Sequence, residues 1–581
     1  MIPSGERRGF FPPAPRWVLS PQPDEAEVTA LEVALSLPRP LCALLVSRGL
    51  SDPDEAKAFL RPILSDLHSP TQLPDLSRAV ERILLAIERG ETILVHGDYD
   101  VDGMAGAALL TRWLERLGGY VVPFVPHRLR DGYDLGEGGI AAARDAKASL
   151  LVTVDCGILA HAAVERANEL GLDVIVTDHH AVGETLPPAH AVINPSRVDS
   201  PYPNSDLCGA GVAYKVCQAL AEAVGIDQAE LHPLLDLVGL ATVADLVPLK
   251  GENRIFARYG LKALARTRNL GLRALMEEAG VGRERVSAGQ VGFALAPRLN
   301  ALGRLGEPKD GLRLLLTTDG GEARAVARTA EEVNRQRQET DRRMLDEASD
   351  LLASMFDPDR DFGVVLESDG WHPGVVGIVA SRLVERIHRP VVLFAMEGDR
   401  GRGSARSIPE YHLLDGVRAC GHLLERFGGH RQAAGMEIHR DRIPEFRKAF
   451  NEEARRVLQG QDLRPSLKAE IEVSLDEMSF DLLGFLEYVG PHGIGNPGPS
   501  FVAKGLSVSS PPRVVGTDHL KLRLRQDGTE LEAIGFHLAR RVSPADIGSG
   551  PVEAVFQLQD NEFRGVRRLQ AHLKDLRRVG P

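Results

Sequence analysis

The stretch His96-Gly97-Asp98-Tyr99-Asp100-Val101-Asp102-Gly103 sets three carboxylates at alternate positions within five residues, directly after the apolar run Ile93-Leu94-Val95. Three acids this close repel one another unless a cation is held among them. The string opens like a calcium loop, D-x-D-x-D-G, but loop position twelve, where a bidentate Glu is required, is Leu109. A strand rather than a helix precedes it, so the calcium reading fails. Working outward, Leu150 to Val154 and Val174 to Thr177 are further short, β-branched-rich runs. Each leads at once into a polar cluster: Asp155-Cys156-Gly157 after the first, Asp178-His179-His180 after the second. Helical patterns lie between the runs, over Ala105 to Leu117 and Ile158 to Leu170. Continuous apolar strands joined by helices predict a parallel sheet buried on both faces. The carboxyl ends of such strands line the ligand crevice.

A fourth cluster, Ala244-Asp245-Leu246-Val247-Pro248, ends a nearly uncharged run that begins near Leu234. Taken singly, a strand-end Asp is most often a helix cap or turn former, and an isolated His pair is usually surface or satisfied core. The joint pattern is different, because carboxylates and imidazoles converge on one edge of one sheet. Asp and His ligands without thiolates suit manganese or magnesium better than structural zinc. Several bridging carboxylates point to two ions about 4 Å apart, a device for in-line displacement at phosphorus.

The rest of the chain frames this core. At 581 residues it exceeds a single hydrophobic core, and three or four domains are expected. No apolar run approaches the roughly 18 residues of a membrane span, and the N-terminus carries prolines and charges instead of a signal core. Five scattered cysteines without a CxxC fit a reducing cytoplasm. The net charge of −12 is neutral evidence about nucleic acid, since local patches decide that. We divide the chain into an N-terminal extension (1–75), a catalytic α/β domain (76–319), a linking helix (320–356), a second α/β lobe (357–460) and a β-barrel (461–581). The linking helix has no Pro and no Gly after Gly321. The barrel is expected from strand-like runs at Ala469 to Val473, Leu520 to Leu524, Val552 to Leu558 and Leu569 to Leu573.

The four clusters, HGDYDVDG, VDCG, TDHH and ADLVPL, resemble the four motifs of the DHH phosphoesterases in order and spacing. The resemblance implies two ions, one held by His96, Asp100 and Asp155, the other by Asp102, Asp155, His179 and Asp245. Asp155 would bridge them, Asp98 would be a ligand or a partner of one, and His180 would face the scissile phosphate. Asp155 and His180 are therefore the implied catalytic pair. The second half resembles the RecJ-type exonucleases of that family at Pro297 to Gly306, His372 to Arg382, Gly403 to Ser407, Gly428 to Gly435 and Pro491 to Pro497. The implied fold is α/β, with DHH and DHHA1-like lobes joined by a long helix and followed by an OB-type barrel.

Implied substrate contacts are Arg298, Asn300 and Arg304 between the lobes, then His372, Ser404, Arg406, Gly429 and His430 as a phosphate grip. Lys521, Arg523 and Arg525 alternate along one barrel strand and so share a face. Blander readings stand beside these: a turn at Gly428-Gly429, a packed turn residue in His372, acid pairing for Arg298 and Arg304, and a merely solvated basic row. The implied activity is 5′-to-3′ hydrolysis of single-stranded DNA with Mn2+ or Mg2+, in DNA repair and recombination. A monomer is expected, with a single-strand-binding protein and a helicase as partners. The alternatives are a DHH phosphodiesterase for short oligoribonucleotides or cyclic dinucleotides, and a non-catalytic DNA-binding scaffold. Filled ligand positions disfavour the scaffold, and the terminal barrel disfavours the small-substrate enzyme.

Overall fold

Strands Tyr120–Phe124, Thr92–Gly97, Leu150–Val154, Asp173–Thr177 and Ala191–Ile193 lie side by side in that order, every pair parallel. Every residue of Leu150–Val154 is buried, which is why this strand reads as a continuous apolar run with no alternation. From Thr92–Gly97 the chain passes to one side and then returns to the other, so the order reverses there. A reversal of this kind opens a crevice at the carboxyl ends of the two diverging strands. The Asp98 and Asp155 clusters stand on those ends.

The computed structural model describes residues 13–579 except 129, 133, 548, 549 and 564, so the first twelve residues of the expected N-terminal extension lie outside the described residues. The chain forms two compact units. One contains residues 57–335 and 487–498; the other contains the N-terminal residues to Ala56, then 336–486 and 499–581. The helix Gly320–Met355 is continuous over 36 residues, as its Pro-free composition predicts. Among the described residues no helix is long and apolar enough to cross a membrane.

Within the first unit, the helix Val101–Arg116 is apolar almost all round and is buried along most of its length, with Trp113 in the core. Helix Gly209–Val224 packs on it. Lys215 of that helix is fully buried, and its Nζ lies 2.6 Å from Glu252 Oε1. Tyr202 Oη donates to Glu252 Oε2 at 2.6 Å, the His68 N–H donates to Oε1 at 2.9 Å, and Lys215 donates to the His68 carbonyl at 2.9 Å. Removing one member of a buried pair strands the other charge. Lys215→Ala should therefore lower the unfolding free energy by about 3 kcal/mol in urea titration. Lys215→Met with Glu252→Gln should recover most of it, and a loss that the double change leaves untouched would refute the pairing argument.

The second unit holds a mixed sheet in the order Arg426–Gly429, Ala433–His439, Arg400–Arg406, Val391–Glu397, Val364–Ser368. Its C-terminal strands Phe501–Val515, His519–Gln526, Thr529–Gly535, Val566–Arg578 and Val552–Phe563 pair in that order, and the first also pairs with the last. That pairing closes a five-stranded barrel, which leaves no open edges in the ring. The N-terminal residues are stitched onto this region. Arg16–Leu19 runs parallel to Ser466–Ala469, Trp17 Nε1 donates to Asp575 Oδ2 at 2.7 Å, and Arg48 grips Glu470 with two bonds of 2.8 and 2.9 Å.

Candidate metal centre

Three strand ends and one helix end bring the acidic clusters together within the first unit. Ligand atoms of Asp98, Asp100 and Asp155 lie within 4.8 Å of one another, as do those of Asp102, His179 and Asp245, and those of Asp155, His179 and His180. Asp155 and His179 each belong to two of these groups and so join them. His179 Nε2 stands 3.0 Å from Asp155 Oδ1, 3.8 Å from Asp245 Oδ2 and 3.9 Å from Asp102 Oδ2. Despite that approach, His179 Nε2, Asp155 Oδ1 and Asp98 Oδ1 are buried with no hydrogen-bond partner. Buried polar atoms without partners are costly and ask for an explanation. Lone pairs from acids and imidazole aimed into one small space fit divalent cations.

The electrostatics agree. Burial, with the charge of Asp102, Asp100, Asp245 and Asp98, pushes the Asp155 carboxyl well above the usual carboxylate range. Burial and Asp100 do the same to Asp98. Burial with Asp100 lifts Asp102 to about 7, and burial with Asp102 and Asp100 lifts Asp245 to about 9. Burial holds His179 down at about 4, so its imidazole is neutral, the form that binds a metal.

Local backbone chemistry aims these groups. Asp155 is held in the left-handed region at φ 65°, a sparsely populated conformation that functional sites often retain. Gly209 faces it so closely that a Cβ there would sit 2.5 Å from Asp155 Cβ. The N–H groups of Gly209 and Ala210 donate to the two oxygens of Asp102 at 2.6 and 2.8 Å, so a helix N-terminus supports that carboxylate. Asp100 caps the helix behind it, accepting from the N–H groups of Asp102 and Gly103. Asp178, first residue of the DHH triplet, has a role the sequence reading did not assign. Its Oδ1 accepts His180 Nδ1 at 2.7 Å and the N–H groups of His179 and His180, while Oδ2 accepts from the Ile158 N–H. Burial would lower the His180 pKa, but the bond and charge of Asp178, with Asp245 and Asp102, lift it to about 9.

His96 stands outside these three groups among the described residues. Its Nδ1 lies 3.5 Å from Cys156 Sγ, its ring packs 5.2 Å from Phe124, and its Nε2 is buried without a hydrogen-bond partner. Arg298 is occupied by Glu331 at 2.5 Å and the Ala294 carbonyl at 2.6 Å, and Asn300 Oδ1 accepts from the Val101 N–H. Asn300 thus braces the helix that carries the first cluster, and Arg298 ties its own helix to the long one. Arg304 lies in the last turn of the same helix as both, Ala296–Leu305.

The residues expected to grip phosphate gather in the second unit. Ser404 pairs with Gly435, Arg406 with Ala433 and Gly429 with Ala434, and the His430 N–H donates to the Ala433 carbonyl. Four of the five therefore share one end of one sheet. Arg406 Nη1 donates to Ser404 Oγ at 3.0 Å. Gly377, in the first turn of helix Val376–Ile387, makes room for both: a Cβ there would meet Ser404 Oγ at 2.8 Å and Arg406 Nη2 at 2.9 Å. His372 Nδ1 accepts from the Gly374 N–H in the turn before that helix. Lys521, Arg523 and Arg525 do share a strand face. However, Arg523 pairs with Glu530 and Glu532, and Arg525 with Glu530, so cross-strand carboxylates neutralise much of the row.

Metal binding must displace protons from the raised carboxylates. Their folded pKa values exceed the unfolded ones, so the metal-free protein loses stability from this cluster as pH rises from about 4 toward the value of about 9 at Asp245. Ion affinity rises over the same window. Manganese should therefore raise the melting temperature by more at pH 8.5 than at pH 6, by scanning fluorimetry against a chelated control. An equal rise at both would contradict the assigned ligands.

Known proteins resemble this chain domain by domain. The model of the DHH family, N-terminal domain, matches residues 92–242, that of the DHHA1 domain 361–456, and that of the RecJ OB domain 469–575. The chain is 37% identical over 567 residues to the single-stranded-DNA-specific exonuclease RecJ of Escherichia coli, covering 94% of this chain and 97% of that one. It is 33% identical over 564 residues to the protein of the same name in Bacillus subtilis, covering 96% and 70%. The crystal structure of RecJ with Mn2+ from Thermus thermophilus superposes with a TM-score of 0.84 at 32% identity, covering 97% of this chain and 80% of that one. By sequence over nearly its full length and by structure, the chain belongs to the RecJ family of DHH phosphoesterases.

Proposed function

We propose that the chain is a metal-dependent exonuclease that hydrolyses single-stranded DNA from its 5′ end, in DNA repair and recombination. The observation that carries this reading is the set of buried, unbonded ligand atoms on Asp155, His179 and Asp98, in a chain whose relatives are named single-stranded-DNA-specific exonucleases. Asp98, Asp100 and Asp155 would hold one ion and Asp102, Asp155, His179 and Asp245 the other, with His96, at the end of the strand that leads into the first cluster, the remaining candidate for the first. Two Mn2+ or Mg2+ ions held there would supply Lewis acidity at phosphorus and a polarised water. His180, clamped by Asp178, donates to a non-bridging phosphate oxygen as charge builds in the transition state. Residues 76–319 form the catalytic domain, 320–356 the linking helix, 357–460 the lobe that grips the strand end, and 461–581 the barrel that retains the strand. A single-strand-binding protein and a helicase are the partners that would deliver such a strand to a monomeric enzyme.

Strands labelled at the 5′ or the 3′ end, incubated with manganese, magnesium or neither, test the reading. Release of 5′ label first, only with metal, is expected; 3′-first release or metal-independent cleavage overturns it. Arg406 supplies a planar fork suited to a terminal phosphate. Arg406→Ala should slow a 5′-phosphorylated strand about tenfold or more, the value of a charge-assisted bond, and a 5′-hydroxyl strand far less. Equal slowing, with a lower melting temperature, would return Arg406 to a structural role.

A further inference from the structure

We propose that Asp518, His519 and His537 form a second metal site, on the barrel, for a first-row transition ion of the zinc class. The pairing of Val515 with His519 makes residues 516–518 a tight turn, and His519 opens the next strand. Leu520 pairs with Gly535, which brings the end of strand Thr529–Gly535, followed by Phe536 and His537, back beside that turn. The Ala539 N–H donates to the Asp518 carbonyl at 3.1 Å and pins the two segments together.

The side chains converge on one oxygen. Asp518 Oδ1 lies 2.7 Å from His537 Nδ1 and 3.2 Å from His519 Nδ1, and one ligand atom from each residue fits within 4.8 Å of the others. The Arg540 guanidinium takes Asp518 Oδ2. It acts as an outer partner that orients a ligating carboxylate, while Oδ1, now hydrogen-bonded to His537 Nδ1, would exchange that bond for the ion. His519 Nδ1 accepts the His537 backbone N–H at 3.1 Å, so its lone pair is already turned to this side and an incoming ion takes it over. The two rings stand nearly perpendicular, 4.8 Å apart. His537 is a non-glycine residue at φ 56°, a conformation that directs its imidazole back toward Asp518. Asp518 is buried while His537 is exposed, which leaves an open side for water.

Two imidazoles and one carboxylate oxygen, with a fourth position for water, match the ligand set of zinc, cobalt or nickel better than magnesium. The centre in the other unit is carboxylate-rich and suits harder ions, so the two sites would sort metals by ligand chemistry. An ion on the barrel would tie the turn at 516–518 to the turn after Thr529–Gly535 and clamp that end of the barrel. The competing reading is a purely structural ion-pair cluster around Asp518.

Cobalt is the probe, because its visible absorption reports imidazole coordination. Full-length protein and full-length Asp155→Ala protein are each titrated with Co2+ after removal of other metals, with bound metal counted by elemental analysis. In both backgrounds His519→Ala and His537→Asn should each remove one equivalent of tightly bound cobalt and its absorption band. Asparagine tolerates the left-handed backbone at 537, so that variant keeps the turn. Arg540→Ala should weaken the same equivalent about tenfold, as loss of an orienting partner does. Should His519→Ala melt lower than its parent in chelator, His519→Gln replaces it. Unchanged cobalt stoichiometry and spectrum in the His537→Asn protein would overturn the site, whatever happens at the catalytic centre.

Discussion

Asp155→Ala is expected to slow hydrolysis of single-stranded DNA by more than about 10^4-fold, with the fold intact. Asp155 groups with Asp98 and Asp100, and its Oδ1 lies 3.0 Å from Nε2 of His179, which itself groups with Asp102 and Asp245. In the proposed centre its loss would empty or misplace both ions, and an ion's charge stabilisation at phosphorus is worth several kcal/mol. Stability should move in the opposite direction. Burial and four neighbouring acids oppose ionisation of Asp155, so removing its charge relieves the metal-free protein. Melting in chelator should be unchanged or higher. Asp155→Asn separates charge from shape, because asparagine accepts the left-handed backbone at this position. It should be as inactive as the alanine variant while leaving neighbours undisturbed. Single-turnover rates with manganese decide the matter: retention of more than about a tenth of the rate would remove Asp155 from the bridging position.

His180→Ala comes next in size, with an expected loss of about 10^3-fold in kcat, within the range for a positioned proton donor or acceptor. His180 Nδ1 is committed to Asp178 at 2.7 Å, and Nε2 is the atom we assign to the substrate. Among the groups of close ligand atoms His180 appears once, beside Asp155 and His179, and its side chain is the more exposed of the two imidazoles. It is thus placed to meet substrate while His179 is buried among acids. Manganese binding by calorimetry should be nearly unchanged in the variant, and KM should move little. Asp178→Asn should cost less than His180→Ala, because the imidazole remains but loses its orientation. A His180→Ala protein that loses an ion instead would make this residue a ligand.

Much of the catalytic sheet was legible because its strands are buried on both faces. Ile93 to Val95, Leu150 to Val154 and Val174 to Thr177 announce themselves as apolar runs, and the acids that follow mark the crevice. The barrel was legible only in part. Strand Phe501–Val515 carries Pro511 and Pro512, absorbed by register shifts around Ser510, and Gly505, at a further shift between Ala503 and Leu506. Strand Thr529–Gly535 hides behind Glu530 and Glu532. Missing that second strand also hid the carboxylates that pair with Arg523 and Arg525. The clamp of Asp178 on His180 depends on a turn geometry that residue types alone do not determine. The pairing of strand Arg16–Leu19 with Ser466–Ala469 is likewise invisible, since contact across some 450 residues leaves no local pattern.

The first unit is discontinuous in sequence, and this has a consequence for its synthesis. Residues 487–498 belong with 57–335: Arg254 donates to the carbonyls of Tyr488 and Val489, and the Leu249 N–H donates to the Ile494 carbonyl just beyond the fourth acidic cluster. A ribosome adding about 5–20 residues per second needs roughly ten to thirty seconds to travel from Arg335 to the last of these residues. Throughout that interval the nascent catalytic unit presents an uncovered patch around Arg254. The metal centre can assemble early, but its supporting wall is finished only after the whole intervening lobe has emerged, so a stalled or truncated nascent chain would carry the ligands without their final brace.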